Sequence, residues 1–304
     1  MSDTTITLIV PTHNEQDLIC ERSLKTLSQQ ELGDLRLKVL VIPNGCQDAT
    51  AKNARNFISK QSKKNISWQV EELELGHRTK SLNYGISLAE TDIVMYLNPD
   101  CILEPNAIKT MYDCITGSDK LNYVGMLEEP DLSFLKEGTM LYKTIQLLAY
   151  NRKISGTHPP SGRFIAFRKE IFPKFPEIHS EDTWASLYTY KEYGPESLKV
   201  FMGQTVKFIP YTNWIDFMKV GSRYMEGTYE VFERFPGYEE VDKKRAAEGK
   251  LDDETRMSLI ADFCTKNDID MEFVQNIKNV IFPLVVENTK LVRQLSDSGT
   301  WELV

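Results

Sequence analysis

The chain has 304 residues, 41% hydrophobic and 26% charged, with a formal net charge of −8. That balance suits a folded protein with one large core, or a core and an appendage, and excludes a general nucleic-acid grip, which needs a basic surface. Five cysteines without a C-x-x-C pair point to a reducing compartment, and no apolar run reaches the roughly 18 residues of a spanning helix.

In chain order, the sequence goes straight into a strand at residues 6–10, with no basic leader. Pro11 ends it, and Thr12-His13-Asn14-Glu15 leads to a helix reaching about residue 30, with Leu18, Ile19, Leu24 and Leu27 on its buried stripe. Residues 37–42 form the second strand, closed by Pro43-Asn44-Gly45; 48–58 form a helix and 66–70 a third strand. Gly76-His77-Arg78-Thr79-Lys80 opens a helix that runs through Ala89. Ile93-Val94-Met95-Tyr96-Leu97 is an apolar fourth strand, stopped by Asn98-Pro99-Asp100 because Pro99 has no amide donor. Strand and helix alternate four times within about 100 residues, the pattern of a parallel, doubly wound sheet.

A helix to about residue 115 and a strand at 123–127 follow. A helix is expected over 134–153, burying Met140, Leu141, Ile145, Leu147 and Leu148. Residues 156–162 are a loop, and the RFIAFR stretch at 163–168 alternates like a half-buried strand. Residues 181–193 form a helix ended by Gly194-Pro195, and 198–209 hold one or two strands. From Asn213 the pattern is helical, with an aromatic stripe of Trp214, Phe217, Tyr224 and Phe232. Residues 239–250 read as a charged, solvated loop. Two last helices are expected at 253–266 and 271–295; Ile277, Ile281, Leu284 and Leu291 give the second an apolar face, and Pro283 should kink it.

Ligands of open α/β sheets bind at the carboxyl ends of the strands. Four such loops carry polar groups here: Asn14 and Glu15, then Asn44 and Asp48, then Arg78, Lys80 and Asn83, and last Asp100. Together they offer partners for a base and ribose, cations for phosphates, and a carboxylate for a hard cation. The alternative for Asn98-Pro99-Asp100 is a plain turn. No two of the four histidines have zinc-binding spacing.

The same stretches resemble family-2-type glycosyltransferases with the GT-A fold. LIVPTHNE (8–15) is similar to their opening nucleotide-binding segment, VIPNGCQDAT (41–50) to the second loop, and GHRTKSLN (76–83) to the Gly-Lys-x-x-x-Leu-Asn element. LNPDCILEPNAI (97–108) resembles the loop with the Asp-x-Asp metal motif, HSEDTW (179–184) the Glu-Asp element of the base, and GSRYMEG (221–227) the stretch after it. Departures are Pro43-Asn44 for two acids, Asn98 for the first Asp, Val220 for Gln and Tyr224 for Trp.

The resemblance, which covers about residues 5–230, implies a doubly wound, mostly parallel sheet over residues 1–212; the helical pattern from Asn213 adds a region at 213–304, expected to pack on it. It also implies an inverting, non-processive transferase, cytoplasmic, that uses a divalent metal (Mn2+ or Mg2+) held by Asp100 and a nucleotide-diphospho-sugar, UDP-sugar first. Asp182 is then the base with Glu181 beside it, and Pro11, Thr12, Asn98 and Arg223 join the loop residues around the donor. Trp184 either stacks on an acceptor sugar or packs in the core, and His158 either faces the donor or is a loop residue. The acceptor stays open between glycan, lipid-linked sugar, protein and modified nucleobase, and peripheral membrane contact stays open too. Two alternatives remain: a sugar nucleotidyltransferase, which would want a Gly-rich, basic loop after the first strand, and a transferase-like binding module without catalysis.

Overall fold

The computed structural model describes residues 4–289 apart from 75, 156–158, 173, 249–250, 282 and 288. His158, Leu291 and the expected helix end at 295 lie outside the described residues. The chain divides into two compact units: Met1–Glu129, Pro159–Glu177 and Glu181–Phe208 in the first, and Pro130–His158, Ile178–Ser180 and Ile209–Val304 in the second.

The first unit holds a seven-stranded sheet of β1 (Thr5–Thr12), β2 (Arg36–Pro43), β3 (Ile66–Val70), β4 (Ile93–Leu97), β5 (Tyr123–Pro130), β6 (Phe164–Arg168) and β7 (Leu198–Phe208), in the order β3-β2-β1-β4-β6-β5-β7. β3, β2, β1 and β4 are parallel neighbours, whereas β6 runs antiparallel to both β4 and β5. The expected doubly wound, mostly parallel sheet is therefore present, with one reversed strand inside it. β6 was expected to be half buried; Phe164, Ile165, Ala166 and Phe167 are instead wholly buried, because the strand sits between two others with both faces covered.

Both β1 and β2 run further than their prolines suggested. β4 pairs with β1 only from Thr7 to Ile9, and β3 leaves β2 after Val41, so neither Pro11 nor Pro43 interrupts a ladder on that side. One face of the sheet packs Ile6, Leu8, Val39, Met95 and Phe164 against helices on that side. Those helices are α1 (Lys25–Ser28, continuing a π-helical turn at Cys20–Leu24), α2 (Thr50–Ile58) and α4 (Ala107–Thr116). The opposite face carries α3 (Arg78–Leu88) and α6 (Glu181–Tyr193): Gly85 of α3 sits over Ile9, and Trp184 of α6 lies 5.8 Å from Phe175, which itself meets Phe167 of β6.

The second unit is helical: α5 (Met140–Ser155), α7 (Trp214–Arg234), α8 (Tyr238–Ala247), α9 (Asp253–Lys266) and α10 (Met271–Asn276). Leu147 of α5 packs with Ile260, Cys264 and Ile277, and Tyr150 stacks on Phe263 at 4.0 Å. Leu141, Ile145 and Phe217 form a second cluster with Val285. Met140, expected in the core, is 58% exposed at the start of α5, and Tyr224 is off the buried stripe of α7 at 54%. The expected charged loop is the helix α8. Glu239 and Glu240 lie in its first turn and Lys244 and Arg245 in its last, complementing the helix dipole, and Lys243 reaches Glu239 at 3.0 Å and Glu240 at 2.9 Å. The last expected helix is helical over its described residues: α10 passes at Ile277 into a π-helical turn ending at Ile281, two residues before Pro283, and residues 283–287 are α-helical again. Among the described residues, no helix is long and apolar enough to cross a membrane.

The α3–β1 contact is testable. A Cβ built on Gly85 comes 2.7 Å from Ile9 Cδ1 and 2.8 Å from Cγ1, within a fully buried side chain. Gly85→Ala should destabilise the protein by about 1–3 kcal/mol through overpacking, and Gly85→Ala with Ile9→Val should recover part of it. Urea midpoints of the two variants check this; an unchanged midpoint in Gly85→Ala would refute the close approach.

Candidate active site

The loops after β1 and β2 are fastened by their own polar side chains. Asn14, at φ 52, accepts from Gln47 N–H through Oδ1 at 2.9 Å, and its amide nitrogen lies 3.1 Å from His13 Nε2. His13 Nδ1 is 2.7 Å from the Asn44 carbonyl oxygen. A carbonyl can only accept, so the proton is on Nδ1 and Nε2 accepts from Asn14. Asn44 is buried and donates to His77 O at 2.6 Å and Ser81 Oγ at 2.8 Å, which ties the loop after β2 to the start of α3. Gly45 (φ 62) lets the two loops touch: a Cβ there would come 2.7 Å from Gly76 N. Asp48 accepts from Gln16 N–H at 3.1 Å and from Thr50 N–H at 3.0 Å. Desolvation works against its charge, but the bonds from Thr50 and Gln16 prevail and hold its carboxyl below the usual range.

Glu15 differs. Its main-chain N–H donates to Thr50 Oγ1 at 2.7 Å, while burial first, then the charges of Asp100 and Asp48, push its carboxyl from 4.5 up to about 7. Thr12 passes its carbonyl to Asn44 N–H at 2.9 Å, and Pro11 is buried beneath.

On α3 the expected residues divide by role. The Arg78 guanidinium forms an ion pair with Glu181, donates to Gly162 O at 2.7 Å and lies 5.6 Å from the Tyr96 ring centroid. Burial raises the Glu181 carboxyl against the opposing pull of Arg78. Asn83 clasps Phe175 in both directions, donating to its carbonyl and accepting from its N–H, each at 2.8 Å. Lys80 is 40% exposed and 3.7 Å from Glu177, so it keeps an accessible charge.

Beyond β4, Asn98 N–H donates to Arg163 O at 2.8 Å, and Asn98 Oδ1 is buried with no hydrogen-bond partner. Asp100 Oδ2 lies 3.4 Å from Arg163 Nη1. Arg163 also reaches Glu128, which Ser161 Oγ contacts from the other side. The next element supplies Asp182: its Oδ2 accepts from Gly162 N–H at 2.9 Å and its Oδ1 from Thr183 N–H at 2.9 Å. Ser161, Gly162 and Arg163 thus touch Glu128, Asp182 and Asp100 in turn. Trp184 is in the core, packed on Phe172, Phe175 and Tyr188. Arg223 is exposed on α7, in the second unit.

Sequence reasoning passed over Glu128, Ser161 and Arg163. A signal was present: β5 ends in Glu128-Glu129-Pro130, an acid at a strand's carboxyl end like Asp100. Arg163 was read only as the first residue of a strand, and its importance comes from the reversal of β6, which puts that strand's start at the carboxyl end of β4. A hard cation fits here. The orphaned Asn98 Oδ1 and the Asp100 carboxylate, two residues apart in sequence, could offer it oxygens, and Glu15 is short of positive charge. No group of three or more His, Cys, Asp or Glu among the described residues could hold a metal, so the rest of a cation's shell would come from a diphosphate, the usual division for Mg2+.

A mostly parallel sheet flanked by helices, with acids after β4 and at the start of α6, is the architecture of GT-A glycosyltransferases. Residues 7–175 match the model of glycosyl transferase family 2, and the chain belongs to that family. Glycosyltransferase AglE of Haloferax volcanii is 29% identical over 113 residues, 37% of this chain and 36% of that protein. The matched stretches span 23% and 36% of the curated relatives' own length. Among solved structures, mannosyltransferase PcManGT from Pyrobaculum calidifontis, in complex with GDP-Man and Mn2+, covers 97% of this chain and 82% of its own at 15% identity, TM-score 0.56. Glucosyl-3-phosphoglycerate synthase from Mycobacterium tuberculosis, with Mn2+, UDP-glucose and phosphoglyceric acid, covers 76% and 79% at 17% identity, TM-score 0.51. At these identities the likeness is one of fold.

The Glu15 carboxyl gives a pH signature. Its folded value lies above its ordinary one, so the folded state binds more protons between pH 4.5 and about 7. The associated stability is full below 4.5 and is lost as the pH rises through about 7. Glu15→Gln should flatten that slope and be more stable than wild type at alkaline pH by about 1 kcal/mol, a figure discounted for the partial exposure of the group. Denaturation midpoints across the pH range check it; parallel curves for the two proteins would refute the coupling.

Proposed function

We propose that the protein transfers a sugar from a nucleotide-diphospho-sugar, UDP-sugar first, to an acceptor hydroxyl, with inversion and one addition at a time. The observation that carries this is the Gly162-Arg163 step. One residue holds Asp182 and the next holds Asp100, so a carboxylate able to take a proton and a carboxylate able to hold a cation share one mount. The neighbours solved with GDP-Man or UDP-glucose and Mn2+ support the donor class and the metal. Val220 and Tyr224, where processive relatives would have Gln and Trp, favour single addition. The five unpaired cysteines suit the cytoplasm.

Each group then has a task. Glu15 accepts a hydrogen bond from the ribose or base at the nucleoside end. Lys80 carries the accessible positive charge for the phosphates, since Arg78 is committed to Glu181 and Gly162. Asn98 and Asp100 would hold Mn2+ or Mg2+, which when bound offsets the charge growing on the departing diphosphate. Asp182 accepts the proton of the acceptor hydroxyl on the opposite side of the sugar carbon. The Gly162 and Thr183 N–H groups fix its orientation, and the Arg78–Glu181 pair keeps the neighbouring acid out of the reaction.

Asp182→Asn should lower turnover by about 100-fold or more while leaving donor affinity near wild type, because a base acts mainly in the transition state. Asp100→Asn should instead abolish the dependence of donor binding on manganese in calorimetry. Proton NMR of the product should give the anomer opposite to the donor's. A retained anomer, or full turnover in Asp182→Asn, would overturn the assignment.

A further inference from the structure

Arg163 takes no part in the chemical step proposed above, where it only holds Asp100, yet it reaches two carboxylates at the metal end of the site. Nη1 is 3.4 Å from Asp100 Oδ2, and Nε is 3.4 Å from Glu128 Oε2. The guanidinium carbon sits 3.6 Å from the centroid of the Phe208 ring, which holds the plane of the group. The side chains of Asp100 and Arg163 are each 21% exposed and that of Glu128 only 5%, so solvent screens these charges weakly. Ser161 contacts the far oxygen of Glu128 and keeps it facing the arginine.

We infer that Arg163 is a resident counter-cation for Asp100, in place while no divalent metal is bound and displaced toward Glu128 when the metal takes Asp100. The inference rests on the metal-assisted reading above and concerns a positioning residue, not one that touches the reacting atoms. Two features carry it. Both carboxylate contacts are longer than the roughly 2.7–2.9 Å of a committed charge-assisted hydrogen bond, so the guanidinium is shared between them. And Glu128 is a buried acid that this same arginine already reaches, so a guanidinium leaving Asp100 stays beside a carboxylate and is not stranded. Asp100 is thereby kept from standing as a bare carboxylate near Glu15, whose raised carboxyl already registers the charge of Asp100.

A counter-cation that competes with the metal makes an unusual forecast: removing a residue should improve metal binding. Arg163→Met keeps an unbranched apolar stem beside Phe208 but removes the guanidinium and its charge, and should tighten Mn2+ by about tenfold, the scale of one unit charge several ångströms away. Glu128→Gln takes away the alternative partner, leaves the arginine to Asp100, and should weaken Mn2+ by about tenfold. The readout is free Mn2+ by electron paramagnetic resonance, titrated alone and with UDP or GDP, so no catalysis enters. In wild type, the Arg163 Nε–H resonance, assigned by its loss in Arg163→Met, should shift when Mg2+ and UDP are added. The Glu128→Gln loss carries the test where Arg163→Met does not fold. Wild-type Mn2+ binding with unchanged affinity in both variants, or an unmoved resonance, would overturn the role of Arg163 alone. Wild type that binds no Mn2+ with either nucleotide would overturn the metal-assisted reading itself.

Discussion

The site depends on one backbone pairing: the reversed strand β6 lying against β4. Its first hydrogen bond, from Asn98 N–H to Arg163 O at 2.8 Å, joins the end of one strand to the start of the other. A parallel β6 would begin at the opposite edge of the sheet, and Gly162 and Arg163 would be far from the carboxyl ends where ligands bind. Because the strand is reversed, the loop that enters it lands beside Asp100 and beside the start of α6. The core residues of β6, wholly buried on both faces, fix that strand against sliding. A one-residue slip would turn Phe164 and Ala166 to the opposite face and break the polar contacts at the strand's start.

Charge balance explains why the edge needs such careful tethering. Glu15, Asp48, Asp100, Glu128, Glu181 and Asp182 all belong to this region of a chain whose formal net charge is −8. Five of the six have a counterweight. Asp48 and Asp182 take main-chain N–H groups, Glu181 takes Arg78, and Asp100 and Glu128 share Arg163. Glu15 has no such counterweight in its carboxyl's balance of burial and like charge, and responds by holding its proton to about pH 7. A diphosphate adds more negative charge to that edge. On the proposed function, a cation bound with it would answer the sequence's own acids as much as the chemistry.

Much of the architecture was legible. The strands at 66–70 and 93–97 and the helix at 181–193 have the expected bounds, because short β-rich runs and a helix between acids and Gly194-Pro195 are strong local signals. The misses have non-local causes. Residues 239–250 looked like a loop because they are so polar, but Glu239 and Lys243 stabilise a helix through spacing that composition alone does not weigh. Pro11 and Pro43 looked like stops; whether a proline ends a strand depends on where its neighbours' pairing ends. At the candidate site, residue types pointed to loops that the fold sets at one edge of the sheet, but not to the use of each side chain. Asn14, Asn44, Asp48 and Asn83 have the chemistry of ligand contacts, and three-dimensional neighbours engage that chemistry in holding loops together. Arg163 and Glu128 needed the direction of a strand, which hydrophobic alternation does not reveal.

The fastening of the first two loops also has a thermodynamic consequence. Ordering a polar side chain on association costs about 0.5–1.5 kcal/mol. Here the amides of Asn14 and Asn44 and the carboxylate of Asp48 are immobilised by the protein itself, together with a proline at each strand end. The entropy of arranging this wall is lost once, when the chain folds, and not again at each encounter with a ligand. On the proposed function, a nucleoside would meet a surface already in shape, and the free energy of its contacts would go to affinity and not to assembling the pocket.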